Sequence, residues 1–147
     1  MTIESDFLII GSGIAGLSFA LKVAEHGSVA LVTKKAMMDS NTNLAQGGIA
    51  SVLSPLDSFD LHIRDTLAAG DGLCNPDVVE IVVTQGPERI RELIALGVSF
   101  NLKATPDTAS DAETFDLGQE GGHSRKRIVH AQDMTGRAVE QVLVECA

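Results

Sequence analysis

The hydrophobic positions of the first 33 residues follow the pattern of a buried strand, then a helix, then a second strand. Residues 7–10 form a continuous apolar run, which is typical of a strand buried on both faces of a parallel sheet. Over residues 14–24 the apolar positions recur every three or four residues, which predicts a helix that closes at Gly27 with a left-handed glycine cap. Residues 28–33 are again apolar and β-branched, so the segment predicts a β-α-β unit with parallel strands.

The middle of the chain predicts a loop followed by helices. Residues 34–56 have no periodicity and predict a loop. Residues 58–69 predict a helix, and Asn75-Pro76 predicts the capped start of another helix that runs to about Gln85 and is broken by Gly86-Pro87. A further helix is expected over residues 87–96, ending at Gly97.

The last third predicts short strands and one more helix. Two antiparallel strands are expected at residues 98–103 and 113–117, around a polar loop at 105–111, and another strand is expected at 127–130. Asp133 is expected to cap a final helix whose buried positions are Val139, Val142, Leu143 and Cys146. Because a helix on a parallel sheet normally leads to a further strand, we expect an α/β fold that is incomplete at its C-terminal end.

Composition excludes several classes of protein. The 147 residues include 44% hydrophobic residues, which is typical of one globular domain, and 20 acidic against 11 basic residues, which argues against binding to nucleic acid or to anionic membranes. The uncharged run from residue 7 to 21 is shorter than the roughly 20 residues of a membrane span. Cys74 and Cys146 form no metal-binding spacing, so we expect no metal site and a reducing, cytoplasmic location.

A G-x-G-x-x-G turn lies between the first predicted strand and helix, and consists of Gly11-Ser12-Gly13-Ile14-Ala15-Gly16. Gly11 would permit the tight turn, Gly13 the approach of a pyrophosphate, and Gly16 the close packing of helix on strand. The phosphates would lie on the free amides at the positive end of the helix. The motif predicts a Rossmann-like dinucleotide-binding fold with a parallel sheet and flanking helices, with an unliganded glycine-rich turn as the alternative.

The end of the second strand argues against a simple NAD site. Such a site presents Asp or Glu about 20 residues after the glycines, where it binds a ribose hydroxyl. This chain has Thr33-Lys34-Lys35 there, and the nearest carboxylate is Asp39. An adenosine pocket that uses a hydroxyl and a lysine fits these residues better.

A second motif follows the second strand and consists of Asn41-Thr42-Asn43-Leu44-Ala45-Gln46-Gly47-Gly48-Ile49-Ala50. Together with Thr33-Lys34, it resembles the flavoprotein superfamily of succinate dehydrogenases, fumarate reductases and L-aspartate oxidases. The resemblance implies FAD as the cofactor. It places the glycine turn at the phosphates, Thr33 and Lys34 at the adenosine, and the second motif beside the flavin through Asn41, Thr42, Ala45, Gln46, Gly47 and Gly48. Asn41 stands where membrane-bound members have the histidine that bonds to the flavin, so noncovalent FAD is expected.

A third motif, Glu120-Gly121-Gly122-His123-Ser124, resembles the corresponding segment of the L-aspartate oxidases in that superfamily. The resemblance implies that Glu120 is the catalytic-site residue that selects an amino-dicarboxylate, by pairing with its ammonium group. It places His123 and Ser124 at a substrate carboxylate or along the flavin, while a histidine that only bonds to backbone remains the alternative.

Other charged residues are given structural interpretations. Arg125, Lys126 and Arg127 are interpreted as a solvated run with no catalytic role. His62 and Asp65, three positions apart on a predicted helix, are interpreted as a surface pair rather than a metal site.

The resemblance implies FAD-dependent oxidation of L-aspartate to iminoaspartate, with O2 or fumarate as the acceptor, in the first step of quinolinate and NAD synthesis. Quinolinate synthase is a candidate partner for the unstable product. Residues 1–147 would be the N-terminal part of the FAD-binding domain, without the capping domain and the C-terminal helical region, and inactive alone. A soluble fumarate reductase-like flavoprotein and a non-catalytic nucleotide-binding module are the alternatives.

Overall fold

The computed structural model describes residues 2–103 and 115–147. Its strands are short, and its helices have 4 to 20 residues. In chain order they are β1 Phe7–Ile10, α1 Ile14–Val23, β2 Val29–Val32, α2 Asn41–Leu44, β3 Ile49–Ala50, α3 Phe59–Ala69, α4 Pro76–Ala95, β4 Ile128–Val129 and α5 Thr135–Cys146.

The predicted β-α-β unit is confirmed. β1 and β2 pair in parallel, with Phe7 opposite Val29 and Ile10 opposite Val32. α1 packs on this pair through a small apolar cluster of Ile9, Ala20 and Val23. The fold is therefore α/β, with the glycine turn at the carboxyl end of β1, where parallel sheets place their ligand sites.

The predicted glycine cap of α1 is wrong. α1 ends at Val23, and Gly27 does not have a positive φ. A Cβ on Gly27 would lie 2.8 Å from Oδ2 of Asp6, which accepts hydrogen bonds from the amide and the hydroxyl of Ser28. Gly27 is therefore needed for the close approach of Asp6, which ties the start of β1 to the start of β2.

The segment 34–56 is not a continuous loop, as the sequence had suggested. It contains α2, whose cap Ser40 accepts hydrogen bonds from the amides of Thr42 and Asn43, and β3, which pairs antiparallel with β4. These elements are too short to produce a periodic pattern of hydrophobic residues, so the sequence signal was absent.

The predicted break at Gly86-Pro87 is also wrong, because α4 continues through both residues to Ala95. Pro87 is buried, and Gly86 faces Ser51, whose Oγ would be 3.2 Å from a Cβ on that glycine. Burial of the α4 face on both sides of the proline outweighs the roughly 3 kcal/mol that an internal proline costs a helix. The predicted end at Gly97 is confirmed, since Gly97 has φ +114°.

The C-terminal third differs from its prediction in three places. The expected strands at 98–103 and 113–117 are reduced to a single antiparallel bridge between Leu102 and Phe115, and residues 113–114 and the polar loop 105–111 lie outside the described residues. Asp133 does not cap α5, which begins after Met134 without a side-chain cap. Of its four expected core positions, two are buried, Val142 is partly buried, and Cys146 is exposed.

The main core joins α1, α4, α5 and β4. Its buried members are Leu17, Ile90, Leu93, Val98, Phe100, Val129, Ala131, Val139 and Leu143. None of the helices within residues 2–103 and 115–147 is both long enough and apolar enough to cross a bilayer.

The contact between α5 and α2 gives a test of the fold. Gly136 donates its amide to the carbonyl of Ala45 over 3.0 Å, and a Cβ on Gly136 would overlap the carbonyl of Thr42. We expect Gly136→Ala to lower the free energy of unfolding by about 1–3 kcal/mol, because the helices must separate. Gly121→Ala is the matched control, since a Cβ there meets nothing within 4 Å. Equal midpoints in thermal unfolding of the two variants would contradict the expected contact.

Candidate functional site

The glycine turn has the geometry that its sequence predicts. Gly11 has φ +110°, a backbone conformation that residues with a Cβ rarely adopt. A Cβ on Gly16 would overlap the carbonyl of Gly11, so only glycine allows α1 to approach β1 this closely. A Cβ on Gly13 would lie only 3.3 Å from Oγ1 of Thr42, so glycine allows the second motif to approach the first turn of α1 closely.

The N-terminus of α1 has no charged or side-chain cap of its own. Gly13, the cap residue, contributes no side chain, and the first turn contains no acidic residue. The amide of Ile14 donates to Oγ1 of Thr42 over 3.1 Å, which brings the second motif against the glycine turn. The positive end of a ten-residue helix therefore faces the space between the two motifs, where an anionic group is stabilised.

That space is a cleft of about 820 Å³. Its volume is suitable for a large small-molecule ligand, since ligand sites commonly measure roughly 300–1,000 Å³. The cleft is lined by residues from the ends of β1 and β2 and from α2, among them Gly11, Ser12, Gly13, Thr33, Lys34, Asn41 and Thr42.

Ser12 has a structural role that the motif does not reveal. Its side chain is buried, and its hydroxyl contacts Oγ1 of Thr33 at 3.3 Å and donates to the carbonyl of Met37 over 2.8 Å. These bonds connect the glycine turn to the end of β2 and to the segment that follows. Ser12 can therefore face a ligand with its main chain, while its side chain holds the two sides of the cleft in register.

The two lysines after β2 have different environments. Lys34 is exposed at the cleft, whereas the ammonium of Lys35 lies 3.1 Å from the carboxylate of Asp39. Asp39 is therefore paired with a lysine and lies beyond the end of β2. It does not occupy the strand-end position from which a carboxylate would bind a ribose hydroxyl. Lys34 is the cation better placed to meet a ligand.

The second and third motifs meet at Gly47. Oε1 of Glu120 lies 3.6 Å from the point that a Cβ on Gly47 would occupy. Ala45, Gln46, Gly47 and Glu120 are exposed, whereas Gly48 packs so closely on Val129 that a Cβ would overlap its carbonyl. The structure thus places an exposed carboxylate beside the exposed part of the A-Q-G-G segment.

The turn that contains Glu120 is anchored from the other side by α3. The amide of His123 donates to the carbonyl of Glu120 over 3.3 Å, and Gly122 has φ +83°. The amide and the hydroxyl of Ser124 both donate to Oδ2 of Asp65 over 2.8 Å. In this structure Ser124 therefore holds the turn on α3.

The interpretation of Arg127 as a solvated residue is wrong. Its side chain is completely buried, with a two-bond pair to Asp57 at 2.8 Å and a bond to Asp65 at 2.6 Å. Nη1 also lies 3.2 Å from Nδ1 of His123. Its place within a predicted apolar strand was the one sequence signal for burial, whereas Arg125 and Lys126 are exposed as expected.

His62 and Asp65 do not form the surface pair that the sequence suggested. His62 is buried, and its ring centroid lies 5.6 Å from that of His123. Burial lowers the pKa of His62, and the charge of Arg127 lowers that pKa further. Both histidines thus belong to one group of side chains around Arg127. We call this group the Arg127 cluster, and its members are Asp57, His62, Asp65, His123, Ser124 and Arg127.

The carboxylates of this cluster are held in their charged form. Burial alone would raise the pKa of Asp57, but the hydrogen bonds from Arg127 and from the Ser58 amide outweigh burial and keep that pKa below its usual value. The pKa of Asp65 is lowered to about 2, first by the hydrogen bond from the Ser124 amide and then, against burial, by the Ser124 hydroxyl and Arg127. Hydrogen bonds to Asp57 raise the pKa of Arg127 in return.

In residues 2–103 and 115–147, no three or more His, Cys, Asp or Glu side chains are grouped so that they could hold a metal ion.

Comparison with known proteins identifies close relatives. A family model described as FAD binding domain matches residues 6–147. Over 140 residues, or 95% of this chain, the identity is 56% to L-aspartate oxidase 2-b, chloroplastic, of Nicotiana tabacum and 45% to L-aspartate oxidase of Yersinia pestis. The fold matches E. coli quinol fumarate reductase with a TM-score of 0.85 and 33% identity, over 99% of this chain and 24% of that one. The chain spans 20% and 26% of the lengths of the two oxidases.

Asp65 gives a test of the cluster through pH. Its folded pKa, about 2, lies below the usual 3.8, so the stabilisation is complete above about pH 4 and is lost as the pH falls towards 2. We expect Asp65→Asn to be less stable at neutral pH and to lose less stability than the wild type on acidification. Thermal unfolding between pH 6 and pH 3 measures this difference, with Asp60→Asn on the exposed side of the same helix as the control. Parallel curves for wild type and Asp65→Asn would contradict the assignment.

Proposed function

The chain belongs to the FAD binding domain family and its cofactor is FAD, and we propose that it forms the cofactor-binding part of an enzyme that oxidises L-aspartate to iminoaspartate. The observation that supports the proposal most directly is the position of the Glu120 carboxylate beside Gly47 of the second motif. Residues 1–147 would be the N-terminal part of a larger FAD-binding domain, and the isolated chain would be inactive.

The shape and donors of the cleft fit a flavin dinucleotide. The first-turn amides of α1, apart from that of Ile14, which donates to Thr42, and the missing side chain at Gly13 suit a diphosphate, without the need for a nearby lysine. Thr33 and Lys34 would contact the adenosine half. The remaining proposed contacts are the rest of the glycine turn, Ser12, Ile14, Ala15 and Gly16, and the second-motif residues Asn41, Thr42, Ala45, Gln46, Gly47 and Gly48. Because Asn41 provides no imidazole for a covalent bond, the FAD would be held noncovalently.

Glu120 would select the substrate. Its exposed carboxylate can pair with the ammonium group of L-aspartate. It would repel a dicarboxylate that lacks this group and places a carboxylate at the same position. The main chain at Gly47 can approach a flat ring closely because no side chain intervenes. FAD, when bound, supplies the two-electron acceptor for oxidation of the substrate carbon–nitrogen bond, and O2 or fumarate would reoxidise it.

The task of this chain's residues is to bind and orient. The glycine turn and Thr42 would fix the cofactor, and the turn 120–124 would fix the ammonium end of the substrate relative to it. His123 and Ser124 are proposed to line the same region, with Ser124 acting through its bonds to Asp65.

The surroundings of the reaction follow from the same proposal. The substrates would be L-aspartate and an electron acceptor, and the unstable imine would pass to an enzyme such as quinolinate synthase, in the route to NAD. We propose the cytoplasm as the location for a bacterial protein of this kind, whereas the tobacco relative is named chloroplastic.

A soluble fumarate reductase-like enzyme is the second candidate, favoured by the 33% identity to E. coli quinol fumarate reductase. The higher identity to the oxidases and the presence of Glu120 favour aspartate. In the full-length protein that contains this sequence, the two candidates differ in substrate. Peroxide release with aspartate and no activity on succinate supports the oxidase. Reduction of fumarate by an added reduced dye, with no oxidation of aspartate, supports the reductase.

Substitution of Glu120 tests the substrate assignment. We expect Glu120→Gln in the full-length protein to raise KM for aspartate about 10- to 100-fold, because the charge-assisted bond to the ammonium is lost. Activity on succinate or fumarate should be unchanged or should rise, because the like-charge repulsion is also lost. Glu145→Gln, on the exposed side of α5, is the control. A Glu120→Gln enzyme with unchanged KM for aspartate would refute the role of Glu120.

Substitution of Gly13 tests the cofactor site. We expect Gly13→Val to weaken FAD binding by at least about 10-fold, since the new side chain fills the space above α1 and meets Thr42. Titration of the flavin-free full-length protein, followed by flavin fluorescence, measures the affinity, with Glu145→Gln, on the exposed side of α5, as the control. FAD binding that is equal in both variants would place the diphosphate elsewhere.

A further inference from the structure

We propose that Arg127 is a positioning residue that fixes His123 in a single neutral tautomer, with its ring proton on Nε2, so that His123 serves as a hydrogen-bond donor to a carboxylate of the substrate. This inference rests on the proposed function, because it assigns His123 to the dicarboxylate that Glu120 selects. It concerns a buried residue that lies outside the three motifs and that sequence reasoning had placed in solvent.

The argument begins with the donors of Arg127. A guanidinium has five N–H groups and no acceptor. Nε and Nη2 donate to the two oxygens of Asp57, and Nη1 donates to Asp65, all over 2.6–2.8 Å. Because the side chain is completely buried and held by two carboxylates, its orientation is fixed by the fold.

The second step concerns the ring of His123. Nη1 of Arg127 lies 3.2 Å from Nδ1 of His123, and the arginine can only donate in this contact. Nδ1 must therefore accept, which requires that it bears no proton. A neutral imidazole with an unprotonated Nδ1 has its proton on Nε2, so the arginine determines the tautomer.

The third step concerns the free side of the ring. Within residues 2–103 and 115–147, the His123 ring has a hydrogen-bond partner only at Nδ1, which leaves Nε2 without one. His123 is only half-buried and follows Glu120 in the same tight turn, with its amide bonded to the Glu120 carbonyl. A donor on Nε2, three residues from a carboxylate, suits a substrate that presents both a carboxylate and an ammonium group.

The groups around the ring leave Nδ1 facing a donor. The ring of His62 lies 5.6 Å from that of His123, and burial and the charge of Arg127 lower the pKa of His62. Asp57 and Asp65 accept hydrogen bonds from Arg127, and within residues 2–103 and 115–147 neither carboxylate bonds to the His123 ring.

Two conservative substitutions of His123 test the tautomer. The amide nitrogen of glutamine can occupy the place of Nε2. Asparagine reaches only the place of Nδ1, where its oxygen can accept from Arg127, and it leaves no donor at the place of Nε2. In the full-length holoenzyme we expect His123→Gln to change KM for aspartate by less than about 3-fold and His123→Asn to raise it by about 10-fold or more, with kcat affected less than KM. Equal effects of the two substitutions would overturn the proposal.

A double substitution separates positioning from folding. Arg127→Lys keeps a positive charge but loses the fixed fork, and we expect it to raise KM about 10-fold when His123 is present. In the His123→Gln background, where no tautomer needs to be fixed, the same change should raise KM less than about 3-fold. The same rise in both backgrounds would show that Arg127 only stabilises the structure. FAD content and melting temperature are measured for every variant.

A spectroscopic measurement is independent of turnover. In full-length protein labelled with ¹⁵N-histidine, the Nδ1 signal of His123, assigned by its loss in His123→Gln, should have the shift of an unprotonated nitrogen. In Arg127→Lys it should move towards the average of the two tautomers. A protonated Nδ1 in the wild type would refute the proposal. If the wild type has an unprotonated Nδ1 and binds FAD but does not oxidise aspartate, the proposed function fails while the tautomer assignment stands.

Discussion

The site depends on close contact between backbones at glycines. At Gly16, Gly48 and Gly136 a Cβ would overlap the carbonyl oxygen of another segment, and the three contacts join α1 to β1, β3 to β4, and α5 to α2. Each contact places part of a motif. The first aims the amides of α1 into the cleft, the second fixes the end of the A-Q-G-G segment, and the third holds α2, with Thr42, against the start of α1. Since backbone atoms cannot move as side-chain ends can, these contacts set the dimensions of the site.

The sequence predicted the parts of the site whose physics is local. The β-α-β unit, the tight turn at Gly11 and the close packing at Gly16 follow from residues near one another in the chain, and all three are present. The errors arose where distant residues decide. Pro87 remains within a helix because its surroundings bury it, and Gly27 is a glycine because Asp6 lies against it. No local pattern contains this information.

The same limit explains the error on Arg127. Next to Arg125 and Lys126 it reads as one of three surface charges, and its partners, Asp57 and Asp65, lie 70 and 62 residues away. Burial of a charge has a large desolvation free energy unless its donors are paired. The ion pairs of Arg127 with Asp57 and Asp65 are therefore required for this fold, and they are not a large net source of stability. Their consequence is geometric, because the turn with Glu120 and His123 is attached to α3 through Asp65.

The charges of the chain are consistent with this arrangement. A protein with a formal net charge of −9 is a poor general binder of anions, and here the anionic part of the ligand would be met by helix amides and Lys34 at one end of the site. At the other end, the carboxylates of Asp57 and Asp65 are bonded to Arg127, and the exposed carboxylate of Glu120 offers a partner for an ammonium group. A neutral His123 that donates from Nε2 would then allow one carboxylate to bind there, because a hydrogen-bond donor can hold that carboxylate without neutralising the charges that retain the ammonium.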